Sequence, residues 1–153
     1  MKIALAADHV GFALKEKTRE YLKGKGLEVE DLGPANAESV DYPDFAEKVA
    51  VRVAAKQADY GVLICGTGLG MEMAANKIPG IRAAAASDTI CARMAREHNN
   101  ANVLTLGGRM IDEAAMRQIV DTWLSTTFEG GRHERRVGKI AALEQRYHPE
   151  KKA

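Results

Sequence analysis

The sequence has few cysteines and few aromatic residues, and each shortage excludes a class of protein. Cys65 and Cys91 are the only cysteines among 153 residues. They form neither a C-x-x-C pair nor a zinc spacing, and two cysteines are too few for a disulfide framework. With one tryptophan, four tyrosines and three phenylalanines, the chain has little aromatic surface on which nucleic-acid bases could stack.

The sequence also lacks an excess of charge and a long apolar run. Its 22 lysines and arginines nearly cancel its 21 aspartates and glutamates, so net charge gives no reason to expect a nucleic-acid or membrane partner. The apolar run in the opening "MKIALAADHVGF" is too short for a signal peptide, and no stretch approaches the length of a membrane span. We therefore expect a soluble, cytoplasmic protein with reduced cysteines.

Short strand-like runs alternate with longer helical runs along the chain. Strands are predicted at 2–7, 27–33, 60–65, 81–86 and 102–108, and helices at 11–25, about 42–53, from the glycine loop to about 78, 88–98, 112–125 and 133–147. This order predicts a three-layer α/β/α Rossmann-like domain with a five-stranded parallel sheet. We expect one domain over 1–153, with a frayed tail from about 148.

Several polar residues directly follow predicted strands. Asp8 and His9 follow the first strand, Cys65 ends the third, and Arg109 follows the fifth. Ligands of open α/β sheets bind outside the carboxyl ends of the strands. These four residues are therefore expected at one edge of the sheet.

A glycine-rich loop, "ICGTGLG" (64–70), joins a buried strand to a helix. Gly66, Gly68 and Gly70 permit positive φ and close approach of a ligand to backbone N–H groups, an arrangement that binds anions. The loop is not a Walker A motif, and Met71 stands where a dinucleotide fingerprint requires glycine. The alternative is a tight turn that needs glycines for its own conformation.

The position of Cys65 leaves two interpretations open. Cysteine is among the most buried residue types, so Cys65 could simply be core. It also lies where a strand meets a helix N-terminus, a place that favours the reactive thiolate form. Cys91 falls in an apolar helical stripe with Met94, and we expect it to be core.

Other polar residues also have alternative interpretations. His98 could be a helix-end histidine favoured by the helix dipole. Asp8 and His9 could contact a sugar hydroxyl or form a local turn. Arg132 and Arg136 are four residues apart on a predicted helix, so their charges repel each other. Solvent, an acidic neighbour or a shared anion could offset this repulsion.

No metal-ligand cluster is evident in the sequence. There is no H-E-x-x-H motif. The four histidines are scattered along the chain: His9, His98, His133 and His148.

Seven segments in one order resemble a known family. They are "DHVGF" (8–12), "DYPDFA" (41–46), "ICGTGLGMEMAANK" (64–77), "GIRAA" (80–84), "REHNNANVL" (96–104), "GGR" (107–109) and "EGGRHERRV" (129–137). Together they resemble the B-type ribose-5-phosphate isomerases, a family shared with galactose-6-phosphate isomerase subunits. The resemblance extends over nearly the whole chain.

The resemblance implies an aldose–ketose phosphate isomerase without metal or organic cofactor. By position, Cys65 is similar to the base that moves a proton between C1 and C2, and His98 to the acid that opens the furanose ring. Thr67 could add a hydroxyl contact. The N–H groups implied to stabilise the enediolate oxygen are those of Gly66, Thr67, Gly68, Leu69 and Gly70. The remaining substrate and phosphate contacts implied are Asp8, His9, Asn99, Arg109, Arg132 and Arg136.

One variant of the family uses a glutamate just after the glycine loop as its base. Here that position is Met71, so the chain resembles the cysteine type. Glu72 lies one residue further and would point about 100° away on a helix, so it is not a candidate.

The predicted topology has a consequence for the site. A helix that follows a parallel strand runs back against it, so His98 is expected at the opposite edge of the sheet from Cys65. We therefore expect His98 and Asn99 to act in a site completed by a second subunit, in a homodimer or homotetramer.

Three other functions remain open from the sequence. They are an isomerase of a six-carbon sugar phosphate such as allose or galactose 6-phosphate, a non-catalytic sugar-phosphate sensor, and a dinucleotide-binding domain.

Overall fold

The computed structural model describes residues 1–148, and a five-stranded parallel sheet forms its centre. The strands are β1 (Lys2–Ala7), β2 (Glu28–Asp31), β3 (Tyr60–Cys65), β4 (Ala83–Ala85) and β5 (Val103–Gly107), in the spatial order β2-β1-β3-β5-β4. Every neighbouring pair is parallel. The predicted fold class is confirmed, whereas most of the expected frayed tail, residues 149–153, lies outside the described residues.

Helices cover both faces of the sheet. They are α1 (Phe12–Gly24), α2 (Tyr42–Ala54), α3 (Leu69–Ala75), α4 (Thr89–Glu97), α5 (Glu113–Ser125) and α6 (Arg132–Tyr147). One core cluster joins the sheet to α1, α4 and α5, and a second joins it to α2 and α3. Successive residues of a strand point to opposite faces, so Ile64 enters the first core and Cys65 the second.

Local signals in the sequence explain where several helices begin. Pro43 lies in the first turn of α2, where its missing N–H has no cost. Asp88 caps α4 by accepting the N–H of Cys91 over 2.7 Å, and Asp112 caps α5 by accepting that of Ala115 over 2.8 Å. These caps fix the entry points of two helices that pack on the same face of the sheet.

The two outermost strands are shorter than the sequence predicts. β2 and β4 have four and three residues, and they form the two sides of the sheet. Helix α3 also ends early, at Ala75. The side chain of the next residue, Asn76, exchanges hydrogen bonds of 2.9 and 2.8 Å with the backbone of Ala83. The helix therefore ends where the Asn76 side chain pairs with β4, and no further helical turn forms.

Helix α6 is packed differently from the other helices. Of its residues, His133 alone is classed as buried. Ile140, Leu143 and Tyr147 are 49%, 51% and 69% exposed, and their spacing places them on one side of the helix. An apolar helix face of this kind is typical of a contact with another molecule.

None of the helices within residues 1–148 combines the length and the apolar character that crossing a membrane requires.

Candidate active site

Cys65 ends β3 directly below the glycine loop. Its side chain is buried, and its Sγ accepts the backbone N–H of Gly68 over 3.1 Å. The loop is held from below by Thr105 on β5, whose hydroxyl donates to the carbonyl oxygen of Gly68 over 2.9 Å. A thiol fixed in this way has a defined orientation, and an N–H donor stabilises negative charge on its sulfur.

Gly68 requires the absence of a side chain for two reasons. Its φ is +83°, a conformation that costs an L-residue about 1–2 kcal/mol. A Cβ at this position would also lie 3.2–3.3 Å from the backbone of Leu106. The conformation of the loop, and with it the donor to Cys65, therefore depends on this glycine.

The N–H of Gly68 contacts the Cys65 thiol directly, just before the short helix α3. The helix has seven residues, so its macrodipole is small. The first N–H groups of a helix have no partner within the helix, and here they belong to the segment that begins at Leu69. The loop and the first turn of α3 therefore offer backbone donors close to the Cys65 thiol.

Asp8, His9 and Arg109 lie at the same edge of the sheet as Cys65, which we name the carboxyl edge because β1, β3 and β5 end there. Asp8 donates its backbone N–H to the carbonyl of Ile64 over 3.0 Å. The N–H of Arg109 donates to the carbonyl of Gly66 over 3.0 Å, and the arginine side chain passes over that glycine. The sequence-based placement of these residues at one edge is correct.

The side chains of Asp8 and His9 have defined local partners. Asp8 Oδ1 accepts the N–H of Gly11 over 2.9 Å, which is the local turn that the sequence left as an alternative. His9 Nδ1 accepts the N–H of Val40 over 3.2 Å. A neutral imidazole that accepts at Nδ1 carries its proton on Nε2, so His9 can donate a hydrogen bond to a ligand.

His98 lies at the opposite edge, where the strands begin, which we name the amino edge. Helix α4 ends at Glu97, and the chain that follows His98 reaches the start of the sheet at Asn102. Asn102 accepts the N–H of Gly61 over 3.0 Å and donates its own N–H to Arg82 over 2.9 Å. The length of β3, six residues or about 17 Å, separates this edge from Cys65.

The first turn of α6 also lies beside His98. The rings of His98 and His133 stack with centroids 4.1 Å apart and planes 6° from parallel. Arg132 precedes His133, and Arg136 follows one turn later on the exposed surface of α6. The two arginines are therefore near His98 in this chain and not near Cys65.

Asn99 is exposed at the amino edge, and Arg82 holds the turn around it. The Nε–H of Arg82 donates to the carbonyls of Asn99 and Asn100 over 3.1 and 3.0 Å. Asn100 has a φ of +45°, the conformation that ends many helices. A cleft of about 530 Å³ lies here, lined in part by Asn99, Arg82 and the apolar face of α6.

The structure corrects two interpretations of the sequence. Cys91 is exposed and not core, because it lies in the first turn of α4 on the side away from the sheet. The histidines are not all scattered, since His98 and His133 stack although they are far apart in sequence. Glu72, set aside as a base, accepts the N–H of Ala85 over 3.0 Å and so joins α3 to β4.

Sequence reasoning missed several neighbours of the candidate residues. The exposed ring of Tyr42 stands over the loop, so close that a Cβ on Gly70 would be 2.7 Å from it. Glu129 lies beside His98 at the amino edge, with its Oε2 3.8 Å from Nε2 of the imidazole. The sequence contained one signal for Tyr42, since it is an aromatic residue in the segment "DYPDFA", to which no role had been assigned.

Comparison with known proteins supports one family over nearly the whole chain. A family model described as Ribose/Galactose Isomerase matches residues 3–140. Ribose-5-phosphate isomerase B of Escherichia coli is 48% identical over 145 residues, which are 95% of this chain and 97% of the relative.

Solved structures give the same picture. Ribose-5-phosphate isomerase B of Clostridium thermocellum superposes with a TM-score of 0.95 at 52% identity, covering 96% of this chain and 99% of that one. The enzyme of Mycoplasma genitalium, solved with bound ribulose-5-phosphate, gives a TM-score of 0.90 at 46% identity, covering 94% and 96%.

Proposed function

Because the chain belongs to the Ribose/Galactose Isomerase family, we propose that it interconverts ribose 5-phosphate and ribulose 5-phosphate in a site built by two chains. The observation that carries this proposal is the Cys65 thiol at the carboxyl edge, oriented by the N–H of Gly68 over 3.1 Å. The bound ribulose-5-phosphate in the Mycoplasma genitalium structure favours this substrate pair.

The proposed reaction begins with the cyclic sugar. His98 opens the furanose ring by giving a proton to the ring oxygen. The thiolate of Cys65 then removes the proton from C2 of the open aldose. The hydroxyl proton passes from O2 to O1 in the resulting enediolate, and the Cys65 thiol returns its proton to C1, which yields the ketose. General acid–base groups of this kind contribute about 10²–10⁴-fold each.

The intermediate between these two proton transfers is an enediolate, and its charge must be stabilised. The backbone N–H groups from Gly66 to Gly70 are the proposed donors, with the Thr67 hydroxyl as a further contact. A donor that acts where charge develops contributes about 3 kcal/mol to lowering the barrier. Asp8 and His9 would then bind sugar hydroxyl groups from the same edge.

The phosphate would be held by arginines. Arg132 and Arg136 are exposed on one side of α6, with Arg109 at the carboxyl edge as a third cation. Asn99 is the remaining proposed contact. A shared dianionic phosphate would relieve the mutual repulsion of the two α6 arginines.

Two chains are needed because the proposed groups fall into two sets. One set lies at the carboxyl edge and comprises Cys65, the glycine loop, Asp8, His9 and Arg109. His98, Asn99, Arg132 and Arg136 lie at the amino edge. A homodimer, or a homotetramer built from such dimers, can bring the carboxyl edge of one chain against the amino edge of its partner.

The exposed apolar face of α6 supports this arrangement. Ile140, Leu143 and Tyr147 lie on the same helix as Arg132 and Arg136. Docking that face on a second copy would bury apolar surface and move the arginines toward the partner's loop. In a two-fold symmetric dimer one such contact creates two equal sites. The proposal includes a cytoplasmic location and a single isomerase domain over 1–153.

A coupled assay of ribose 5-phosphate, allose 6-phosphate and galactose 6-phosphate tests the substrate. We expect the highest kcat/KM for ribose 5-phosphate. A preference for a six-carbon sugar would overturn the choice of substrate, and the absence of turnover with all three would overturn the activity.

Solvent deuterium separates an isomerase from a sugar-phosphate sensor. A base that moves a proton between C1 and C2 exchanges that proton with solvent, so deuterium should appear at these carbons in D₂O. Binding without any deuterium incorporation would favour the sensor.

A further inference from the structure

Three metal-ligating atoms converge at the amino edge of the sheet. One potential ligand atom from each of His98, Glu129 and His133 lies within 4.8 Å of the other two. The carboxylate oxygen is 3.8 Å from the first nitrogen and 3.6 Å from the second. These separations exceed a hydrogen bond, so the three atoms surround a common point without satisfying one another.

His133 provides a second, independent observation. Its side chain is 7% exposed, and its Nε2 has no hydrogen-bond partner among residues 1–148. A buried polar atom without a partner costs about 1–3 kcal/mol, so such atoms usually have an unseen partner such as a water or an ion. The unpartnered nitrogen lies 3.6 Å from the same carboxylate oxygen that is 3.8 Å from His98 Nε2.

The proposed isomerase mechanism does not account for this arrangement. A carboxylate that orients a catalytic histidine contacts the ring nitrogen away from the reaction. Here one carboxylate oxygen faces Nε2 of both His98 and His133. Two imidazole nitrogens beside one carboxylate oxygen form a donor set that can bind a cation.

The donors are held by the backbone before any ion arrives. Glu129 donates its N–H to the carbonyl of Glu97 over 3.0 Å, which fixes the loop against the end of α4. His133 donates its N–H to the carbonyl of Gly130 over 3.0 Å at the start of α6. Three short segments thus meet, and little chain has to become ordered on binding.

The dimensions fit a small tetrahedral ion after one local movement. Bonds of about 2.0–2.1 Å to nitrogen and oxygen place tetrahedral ligands about 3.3 Å apart, a few tenths of an ångström closer than the two gaps between the carboxylate and the imidazoles. The two imidazole planes are parallel, so one ring must turn to direct its lone pair at the ion. His98, whose side chain is 34% exposed, has room to do so.

We propose that His98, Glu129 and His133 bind a divalent transition-metal ion of the zinc class, leaving one coordination position open. Two imidazoles and one carboxylate suit Zn²⁺ or Co²⁺, whereas Mg²⁺ and Ca²⁺ favour all-oxygen sites. Within one chain the site is separate from the Cys65 thiol, which lies at the other edge of the sheet.

A regulatory consequence follows, and it rests on the proposed function. An ion bound to His98 Nε2 removes the acid that would open the sugar ring. Zinc would therefore inhibit the isomerase reversibly, and a chelator would restore activity. Binding of the ion itself does not depend on what the chain catalyses.

Cobalt titration of the full chain, followed by visible absorption, tests the site. We expect one Co²⁺ per chain in the wild type, and an affinity lower by about tenfold or more in Glu129→Gln and His133→Ala. Glu129 is exposed, so Glu129→Gln should fold even if the buried histidine variant does not. Glu134→Gln and His148→Ala are matched controls that should bind as the wild type does.

The same titration separates this site from a thiol site. We expect Cys65→Ala to keep full cobalt affinity. The cobalt-loaded wild type should show no thiolate-to-cobalt absorption band. Unchanged affinity in Glu129→Gln and a folded His133→Ala, or lost affinity in Cys65→Ala, would overturn the proposal.

Zinc inhibition is then measured relative to the metal-free rate of each variant. We expect the inhibition constant to rise by about tenfold or more in Glu129→Gln, in parallel with cobalt affinity. Inhibition that is equal in wild type and Glu129→Gln would overturn the regulatory part. If the wild type has no isomerase activity, the proposed function fails, and cobalt titration still decides the metal site.

Discussion

Cys65 and His98 lie at opposite edges of one parallel sheet. Cys65 is the last residue of β3, and the chain after His98 meets the same strand near its start, at Gly61. We therefore expect that these two residues of one chain do not act together on a pentose phosphate. The topology that fixes this separation also makes the opposite edges available to two different chains.

Replacing Cys65 tests its role as the base. We expect Cys65→Ala to lower kcat by at least about a hundredfold, because no other group would move the proton between C1 and C2. Affinity for ribose 5-phosphate, measured by calorimetry, should change little. Cys91→Ala is the matched control, since Cys91 is exposed and its helix packs on the other face of the sheet from α3, and its kcat should be near normal. Near-normal turnover by Cys65→Ala would remove the thiol from the mechanism.

Gly68→Ala should damage both stability and activity. Its φ of +83° and its contact with the Leu106 backbone predict a loss of about 1–2 kcal/mol in the free energy of unfolding. Movement of the loop would also displace the donor to Cys65 and lower kcat. Gly138→Ala, in open space within α6, should instead stabilise the chain by roughly 0.5–1 kcal/mol. Urea unfolding of both variants checks this, and equal effects would contradict it.

The α6 arginines should contribute to substrate binding. We expect Arg132→Ala and Arg136→Ala each to raise KM by at least about tenfold, because hydrogen bonds to charged groups contribute about 1.5–3 kcal/mol. Competitive inhibition by inorganic phosphate should weaken in parallel. Arg135→Ala removes a neighbouring exposed arginine on a different side of α6 and should leave both constants unchanged. An equal effect in all three variants would indicate general electrostatics instead of a clamp.

The buried His133 predicts a pH dependence of stability. The pKa of the His133 imidazole is lowered below its ordinary value of 6.5. The main cause is burial, and the second is the adjacent His98. The unfolded chain therefore binds a proton near this pH more readily than the folded chain does, and stability falls as pH decreases below about 6.5.

The effect should be absent in a variant without this imidazole. We expect the free energy of unfolding of His133→Gln to fall less between pH 7 and pH 5 than that of the wild type. His148→Gln should follow the wild type. Parallel curves for wild type and His133→Gln would show that this imidazole does not titrate abnormally.

The sequence predicted the fold because local signals agreed with one another. Apolar strands such as 60–65 alternate with amphipathic helices. Short connections between parallel strands are almost always right-handed, which restricts the possible topologies. The placement of Asp8 and Arg109 at the carboxyl edge followed from that order alone. The opposite placement of His98 followed from the direction of α4.

Contacts between distant segments could not be predicted. The stacking of His98 on His133 depends on how α6 packs after a loop, and no periodic pattern in the sequence encodes that angle. The exposure of Cys91 depends on the rotation of α4 about its axis, which a short apolar stripe defines poorly. Tyr42 reaches Gly70 only because α2 and α3 share one face of the sheet.

A mixing experiment tests the shared site most directly. Cys65→Ala and His98→Ala chains, each inactive alone, are combined under conditions that exchange subunits. Each hybrid dimer would contain one intact site, so random exchange should restore about a quarter of the wild-type activity. The matched control mixes Cys65→Ala with Arg109→Ala, whose lost groups both lie at the carboxyl edge, and should show no more activity than the two chains show separately. Hybrids that form without any return of activity in the first mixture would contradict an active site shared between two chains.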